Sequence, residues 1–291
     1  MSSGKAIGEK NAPRAQILAG DCLQLLHQQV LSQTGINGPV ALTFFDPPFN
    51  QGKDYAFFDD TAPEAEYWNW VKGVCCQLRE LTADGGALYF MQREKNTEQV
   101  LSCLRKTGWT LQNLIIWLKH TSAVPSHLRF GKQYQIIAFA TKGRRPRTFH
   151  RLRIDPPQPA HHKLKRANGL YLTDCWTDIR ELTAGFFAGE EALRDEAGGR
   201  CHEQQSPLAL LARIILSSSG PGDLVLDPCA GSGTTLVAAG QLGRAALGLE
   251  VDPKNVRLIE RRLAECRAAD ALAGQREYYR FTQGLEEIWP E

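Results

Sequence analysis

Asp46-Pro47-Pro48-Phe49 closes the apolar run Val40 to Phe45, and its residue types suit work on a flat amine. Six residues rich in β-branched and aromatic side chains read as a buried strand, and two prolines make the turn behind it rigid. Pro47 and Pro48 donate no backbone N–H, so their carbonyls are expected to face outward as fixed acceptors. Beside them stand the Asp46 carboxylate and the apolar ring of Phe49. Acceptors next to a stacking face fit a planar ring that bears an NH2 group. The plain alternative, a strand that happens to stop at a Pro-Pro turn, holds only if the tetrapeptide has no partner.

The partner lies far downstream, at Asp227-Pro228-Cys229-Ala230-Gly231-Ser232-Gly233-Thr234-Thr235. An apolar strand there enters a glycine turn and runs straight into an Ala-rich helix start, and small residues let the backbone approach a ligand closely. The loop lacks both the Gly-Lys-Ser/Thr ending of a phosphate cradle and the three-glycine dinucleotide fingerprint, which disfavours a triphosphate or NAD. A second strand, Arg244 to Leu249, ends at Glu250, where a carboxylate would accept from ribose hydroxyls. The pair describes a nucleoside site without phosphates, and S-adenosylmethionine is the occupant it fits.

In sequence and order the two motifs resemble those of the amino-group DNA methyltransferases of the permuted β class. There an Asp-Pro-Pro-Tyr/Phe turn precedes an Asp-Pro-Phe-Ala-Gly-Ser-Gly-Thr loop, and the resemblance here is weakest between residues 144 and 200. It implies a doubly wound, mostly parallel α/β sheet of the Rossmann-like methyltransferase type, circularly permuted. Residues 1–143 and 201–291 would form the catalytic domain and 144–200 a target-recognition insertion. Asp46, Pro47, Pro48 and Phe49 would act on the target amine, with Asp46 also near the cofactor and Asp21 beside the cofactor adenine. Gln205-Ser206-Pro207 stands where the family usually has Gln-Lys-Pro, a further cofactor contact. The implied reaction moves a methyl group to the exocyclic amine of a base flipped out of double-stranded DNA, without metal or covalent intermediate. Aspartate at the first turn position goes more often with adenine, so N6 of adenine is expected ahead of N4 of cytosine. A homodimer and a cognate restriction enzyme are the further partners the resemblance suggests.

Other chemistries fit less well. Pro228-Cys229 superficially offers the nucleophile of a cytosine-C5 enzyme, but inside a glycine loop it reads as a small apolar stand-in for the usual Phe. Enzymes that methylate RNA or protein glutamine generally keep the cofactor loop first. A scaffold that only bound nucleic acid would not need both motifs intact.

The chain has 291 residues, 43% of them hydrophobic, and 34 basic against 32 acidic side chains, so DNA contacts must come from local clusters rather than net charge. The stretch Lys142 to Arg166 is dense in cations and prolines and is not expected to enter a core. Arg144, Arg145, Arg147, Arg151, Arg153, Lys163, Lys165 and Arg166 are its candidate phosphate contacts. Arg129 and Lys132 close a long gap after Lys119 that is expected to line a DNA cleft. Lys53 sits in a polar segment, Asn50 to Tyr55, expected to be a mobile lip. Asp155-Pro156-Pro157-Gln158 follows no strand and is not a second catalytic turn. His161 and His162 are expected at the surface, and the eight cysteines show no ligand spacing, so no metal is expected. Met1 to Pro13 has no apolar leader core; a cytoplasmic protein with no membrane segment and a loose first dozen residues is the expectation.

Elements must carry these groups to one place. Strands are expected at Gln16–Asp21, Val40–Phe45, Gly86–Met91, Leu114–Leu118, Tyr134–Ala140, Asp223–Asp227 and Arg244–Leu249. Helices are expected after Asp21, which doubles as an N-cap, and at Asn96–Thr107. A further helix over Pro63–Leu81 buries Tyr67, Val71, Val74, Leu78 and Leu81, another opens with Ser206 as N-cap and Pro207 at its first position, and the last runs from Pro253 to about Ala273. Alternation of the two types gives a doubly wound sheet with both motif loops at its carboxyl edge.

Overall fold

The computed structural model describes residues 15–36, 38–121, 127–156, 167–182, 189–195, 197–202 and 204–290. The first dozen residues, Pro157, Gln158, His161, His162, Lys163, Lys165 and Arg166 lie outside the described residues. In chain order the elements are β1 (Ala15–Ala19), α1 (Cys22–Leu25), α2 (Gln28–Gln33), β2 (Val40–Phe45), β3 (Asp54–Tyr55) and β4 (Phe58–Asp59). Next come α3 (Glu64–Leu81), β5 (Thr82–Arg93), α4 (Thr97–Lys106), β6 (Thr110–Leu118), β7 (Tyr134–Thr141), β8 (Arg153–Ile154), β9 (Leu170–Tyr171) and β10 (Cys175–Trp176). The chain then forms α5 (Leu208–Ser218), β11 (Leu224–Asp227), α6 (Thr234–Gln241), β12 (Ala245–Glu250), α7 (Pro253–Ala264) and α8 (Leu285–Ile288).

β2 is buried along its whole length, as a strand covered on both faces must be. Its side chains alternate between two cores: Leu42 and Phe44 pack with α5 and α6, while Val40 and Phe45 pack with α3 and α4. The five α3 residues expected inside are all buried, and Cys75 is buried beside them; a large apolar side chain contributes about 1.5–3 kcal/mol of transfer free energy when buried.

The main sheet runs β1-β12-β11-β2-β5-β7-β6-β10, and only β7 is antiparallel to its neighbours. β11 lies beside β2, with Leu226 opposite Thr43. From β2 the succession proceeds to β5 on one side; from β11 it proceeds to β12 on the other. The strand order therefore reverses between these two strands, the place where open α/β sheets hold ligands beyond their carboxyl ends. Strands so paired lie about 4.8 Å apart, which turns two motifs far apart in sequence into neighbours.

Several boundaries differ from expectation for identifiable reasons. β5 starts at Thr82 rather than Gly86, its register with β2 shifted by an irregularity between Val40 and Leu42. Ser206 does not cap α5. Pro207 is the N-cap residue without a side-chain bond, and the Leu208 N–H donates instead to Glu191 Oε1 at 2.6 Å, a cap supplied from elsewhere in the chain. α7 ends at Ala264, and short 3-10 turns replace its expected last two turns.

The basic stretch does enter the core, contrary to expectation. Leu152 and Ile154 are buried with Trp176 and Ile179 against the same cluster as α5. Their apolar positions alternate with Arg151 and Arg153, which turn outward over the ring of Tyr171 at 4.2 and 3.9 Å. Among the described residues no helix is long and apolar enough to cross a membrane.

Candidate active site

Asp46 leaves the carboxyl end of β2 into a turn that is held from behind. The Tyr67 hydroxyl donates to the Pro48 carbonyl at 2.7 Å and accepts from Gln92 Nε2 at 2.9 Å. The Pro48 carbonyl is thus occupied internally, a correction to the outward acceptor expected of it. Phe49 is 8% exposed and lines the same cavity as Asp46, Pro47 and Pro48. The segment after it is not a loose lip: buried Asp60 accepts the N–H groups of Asn50, Gln51 and Lys53 at 2.7, 3.1 and 2.9 Å. One carboxylate gathers three orphan amides, and Asn50 takes a left-handed φ of 50° to let it.

The glycine loop is braced as closely. Gly231 and Gly233 have φ of 53° and 76°, and a Cβ on Gly233 would meet Ile259 at 2.8 Å. Glu250 Oε2 accepts the Gly231 N–H at 2.7 Å and Oε1 accepts the Asp252 N–H at 2.9 Å. Arg262, paired with Asp270 at 2.6 Å, donates to the Ser232 carbonyl at 2.7 Å. Asp227 accepts from Thr235 Oγ1 at 2.5 Å and from the Cys229 N–H at 3.1 Å.

Between turn and loop lies a cavity of about 790 Å³, large enough for a nucleoside-sized ligand and a base together. Asp21, Asp46, Asp227 and Glu250 line it, as do Pro228, Cys229, Ala230, Gly231, Ser232, Thr234 and Thr235. Asp21 also caps α1, its Oδ1 accepting from the Gln24 N–H at 3.2 Å, so cap and cavity wall coincide. Gln205 and Ser206 line the cavity too, but Gln205 is engaged: its Oε1 accepts from the Leu193 N–H and its Nε2 donates to the Glu191 carbonyl, both at 2.9 Å. Pro207 and Gly233 stand behind the wall rather than in it.

The electrostatics of the cavity are set by buried carboxylates. Burial, and then the neighbouring Asp227, push the Asp46 carboxyl up to about 8; Lys119 and the Ser206 hydroxyl pull the other way. Burial likewise raises Asp227 to about 7 and lifts Glu250 above the usual carboxylate range. Lys119, at the end of β6, lines the cavity, and burial lowers its ammonium, opposed by Asp46 and Glu181. The carboxylates Asp46, Asp227 and Glu250 therefore favour a cation beside them, and the glycine loop gives a nucleoside close backbone approach; Lys119, Arg194 and Arg200 line the same cavity.

The candidate DNA residues do not gather here. β7 runs antiparallel, so Thr141 lies opposite Ala87 near the start of the central strands. Arg144, Arg145 and Arg147 follow it at the amino edge, where Arg147 pairs with Asp223 Oδ1 at 3.1 Å. Asp223 precedes β11 and Asp227 ends it, a separation of roughly 13 Å at 3.3 Å per residue. Arg151 and Arg153 stand over Tyr171 and do not line the cavity. Lys53, Arg129 and Lys132 do leave from the carboxyl edge, and Lys132 pairs with Glu94 at 2.9 Å. Tyr67, Gln92, Asp60, Lys119 and Glu191 carried no motif; their parts depend on contacts across the fold.

A family model described as DNA methylase, of the N6/N4 type, matches residues 40–261. The DNA adenine methyltransferase YhdJ of Escherichia coli (strain K12) is 31% identical over 241 residues, 77% of this chain and 76% of that protein. The type II methyltransferase M.HinfI of Haemophilus influenzae is 26% identical over 266 residues, 86% of this chain and 68% of its own. Among solved structures, the PvuII DNA methyltransferase (cytosine-N4-specific) superposes with a TM-score of 0.60 at 17% identity, over 94% of this chain and 93% of that one. The M1.HpyAVI–SAM complex gives 0.55 at 20% identity, over 86% and 100%. These two likenesses carry the fold.

Proposed function

The chain belongs to the N6/N4 DNA methylase family and is an S-adenosylmethionine-dependent DNA methyltransferase; from that premise we propose that it methylates N6 of adenine in duplex DNA, with Asp46 acting on the flipped-out base. The observation that carries this reading is Asp46 itself: a carboxylate at a braced turn, facing the cavity, whose side-chain hydrogen bonding among the described residues is one long 3.5 Å contact from Ser206 Oγ. A carboxylate in that position lacks donors, and an exocyclic amine supplies them.

The cavity residues fit the cofactor. Half-buried Asp46 and buried Asp227 and Glu250 suit its positive charge, and the Gly231 to Thr235 loop offers close backbone approach. When bound, S-adenosylmethionine supplies an electrophilic methyl group. Asp46 would accept an amine N–H, with the Pro47 carbonyl as second acceptor. Both bonds draw the nitrogen toward tetrahedral geometry and free a lone pair otherwise delocalised into the ring. The Phe49 ring would stack on the base and fix its plane. Once the nitrogen has gained a methyl group, its surplus proton has the Asp46 carboxylate as nearest base. The Pro48 carbonyl, held by Tyr67, keeps the turn still.

Adenine is supported by the name of the 31% identical relative and by Asp46 at the first turn position. We also propose residues 144–200 as the target-recognition region, packed on the catalytic core, with DNA approaching the carboxyl edge near Lys53, Arg129 and Lys132. Methylating DNA with the purified protein and separating the nucleosides by mass spectrometry tests the reading. N6-methyladenine is expected; N4-methylcytosine alone would overturn the base assignment, and no modified base would overturn the function.

A further inference from the structure

Two of the aromatic rings exposed at the carboxyl edge, Phe57 and Phe130, differ in what they can reach. Phe57, 54% exposed at the tip of the β3–β4 hairpin, lines the cavity. Phe130, 98% exposed in the loop from β6 to β7, does not. Whatever enters the cavity can touch Phe57, whereas Phe130 meets only what stays outside.

The described ends of the segment that carries Phe130 are tied to the core. The Lys119 N–H donates to the Gln133 carbonyl at 2.7 Å, and Lys119 itself lines the cavity. Glu181 accepts the N–H groups of His120 and Thr121, each at 2.8 Å, and Lys132 is tied to Glu94. Phe130 is three positions before Gln133, so its Cα lies within about 11 Å of that root. Leu128 is 96% exposed, and Arg129 between the two apolar residues is also exposed. Water is a poor permanent surrounding for such side chains at a site that must open a base stack.

We propose that Phe130, flanked by Leu128, is a wedge that enters the duplex and occupies the space left by the extruded base, while Arg129 meets the adjacent phosphates. The inference rests on the reading of the cavity as a site for a flipped base in DNA. Extrusion leaves a gap in the stack, and the unstacking is unfavourable unless another flat apolar group fills it. An exposed ring three positions from a residue bonded to the cavity-lining Lys119, and itself outside the cavity, is placed for that task, and the cation beside it is complementary to the backbone it would face.

The experiment compares Phe130→Ala with wild type on a duplex carrying the target site, mapped beforehand by sequencing modified bases. A second duplex places an abasic position opposite the target, which removes most of the cost of extrusion. Phe130→Ala is expected to lose about tenfold or more in kcat/KM on the paired duplex. On the abasic duplex it should return to within about twofold of wild type, with cofactor binding unchanged by calorimetry. Equal activity of the variant on both duplexes, or an equal loss on both, overturns the wedge. A wild-type protein that methylates neither duplex, nor any DNA, overturns the methyltransferase reading beneath it instead.

Discussion

Asp46 and Asp227 end neighbouring parallel strands, each is followed by proline, and burial raises both. Yet their surroundings differ. Asp227 has a hydroxyl and a backbone amide within 2.5 and 3.1 Å, both from its own loop; Asp46 has one hydroxyl at 3.5 Å. A carboxylate whose lone pairs are taken is a brace, and one left short of donors is held ready for a ligand. On the function proposed above, the same residue in the same kind of turn serves shape in one case and chemistry in the other.

Asp46→Ala tests that contrast most severely. Loss of the acceptor should cut methyl transfer by about 10² or more while cofactor affinity stays nearly constant; a variant keeping a tenth of the wild-type rate would end the assignment. Asp227→Ala should do the reverse, weakening cofactor binding about tenfold or more through a loosened loop, since hydrogen bonds to charged groups contribute about 1.5–3 kcal/mol. Calorimetry without DNA reads this directly. Tyr67→Phe frees the Pro48 carbonyl and should lower kcat several-fold with KM little changed, a sign that the turn and not the binding surface moved.

The two carboxyls also set a pH dependence. Their folded values, about 8 and about 7, lie above the ordinary 3.8, so the ligand-free protein binds more protons folded than unfolded in between. Stability is then fullest below about pH 4 for these groups and is lost as pH rises through 7 and 8. The melting temperature of the ligand-free protein should fall over that range, and less so in Asp46→Asn. Because the reaction needs the carboxylate, kcat/KM should climb with pH to about 8 and then level. The smallest effect is expected at the amino edge. Replacing Arg144, Arg145 and Arg147 together by alanine should leave the salt slope of DNA binding unchanged if DNA docks only at the carboxyl edge; a slope flattened by one or more units would place phosphates there.

Residue order alone determined much of this protein. The run into Asp46-Pro-Pro-Phe, the glycine loop with its helix start, the apolar spacing of α3 and the strand–helix alternation obey rules that act within a few residues: fixed proline φ, glycine freedom, periodic burial. Only the tertiary structure decided the rest, because it joins residues by contacts that leave no local pattern. Tyr67 finds Pro48, and Glu191 caps α5 where Ser206 was expected to. Lys119 joins Asp46 in the wall of one cavity. One antiparallel strand, β7, carries Arg144, Arg145 and Arg147 to the edge of the sheet away from the cavity, since reversing a strand reverses which edge its end reaches.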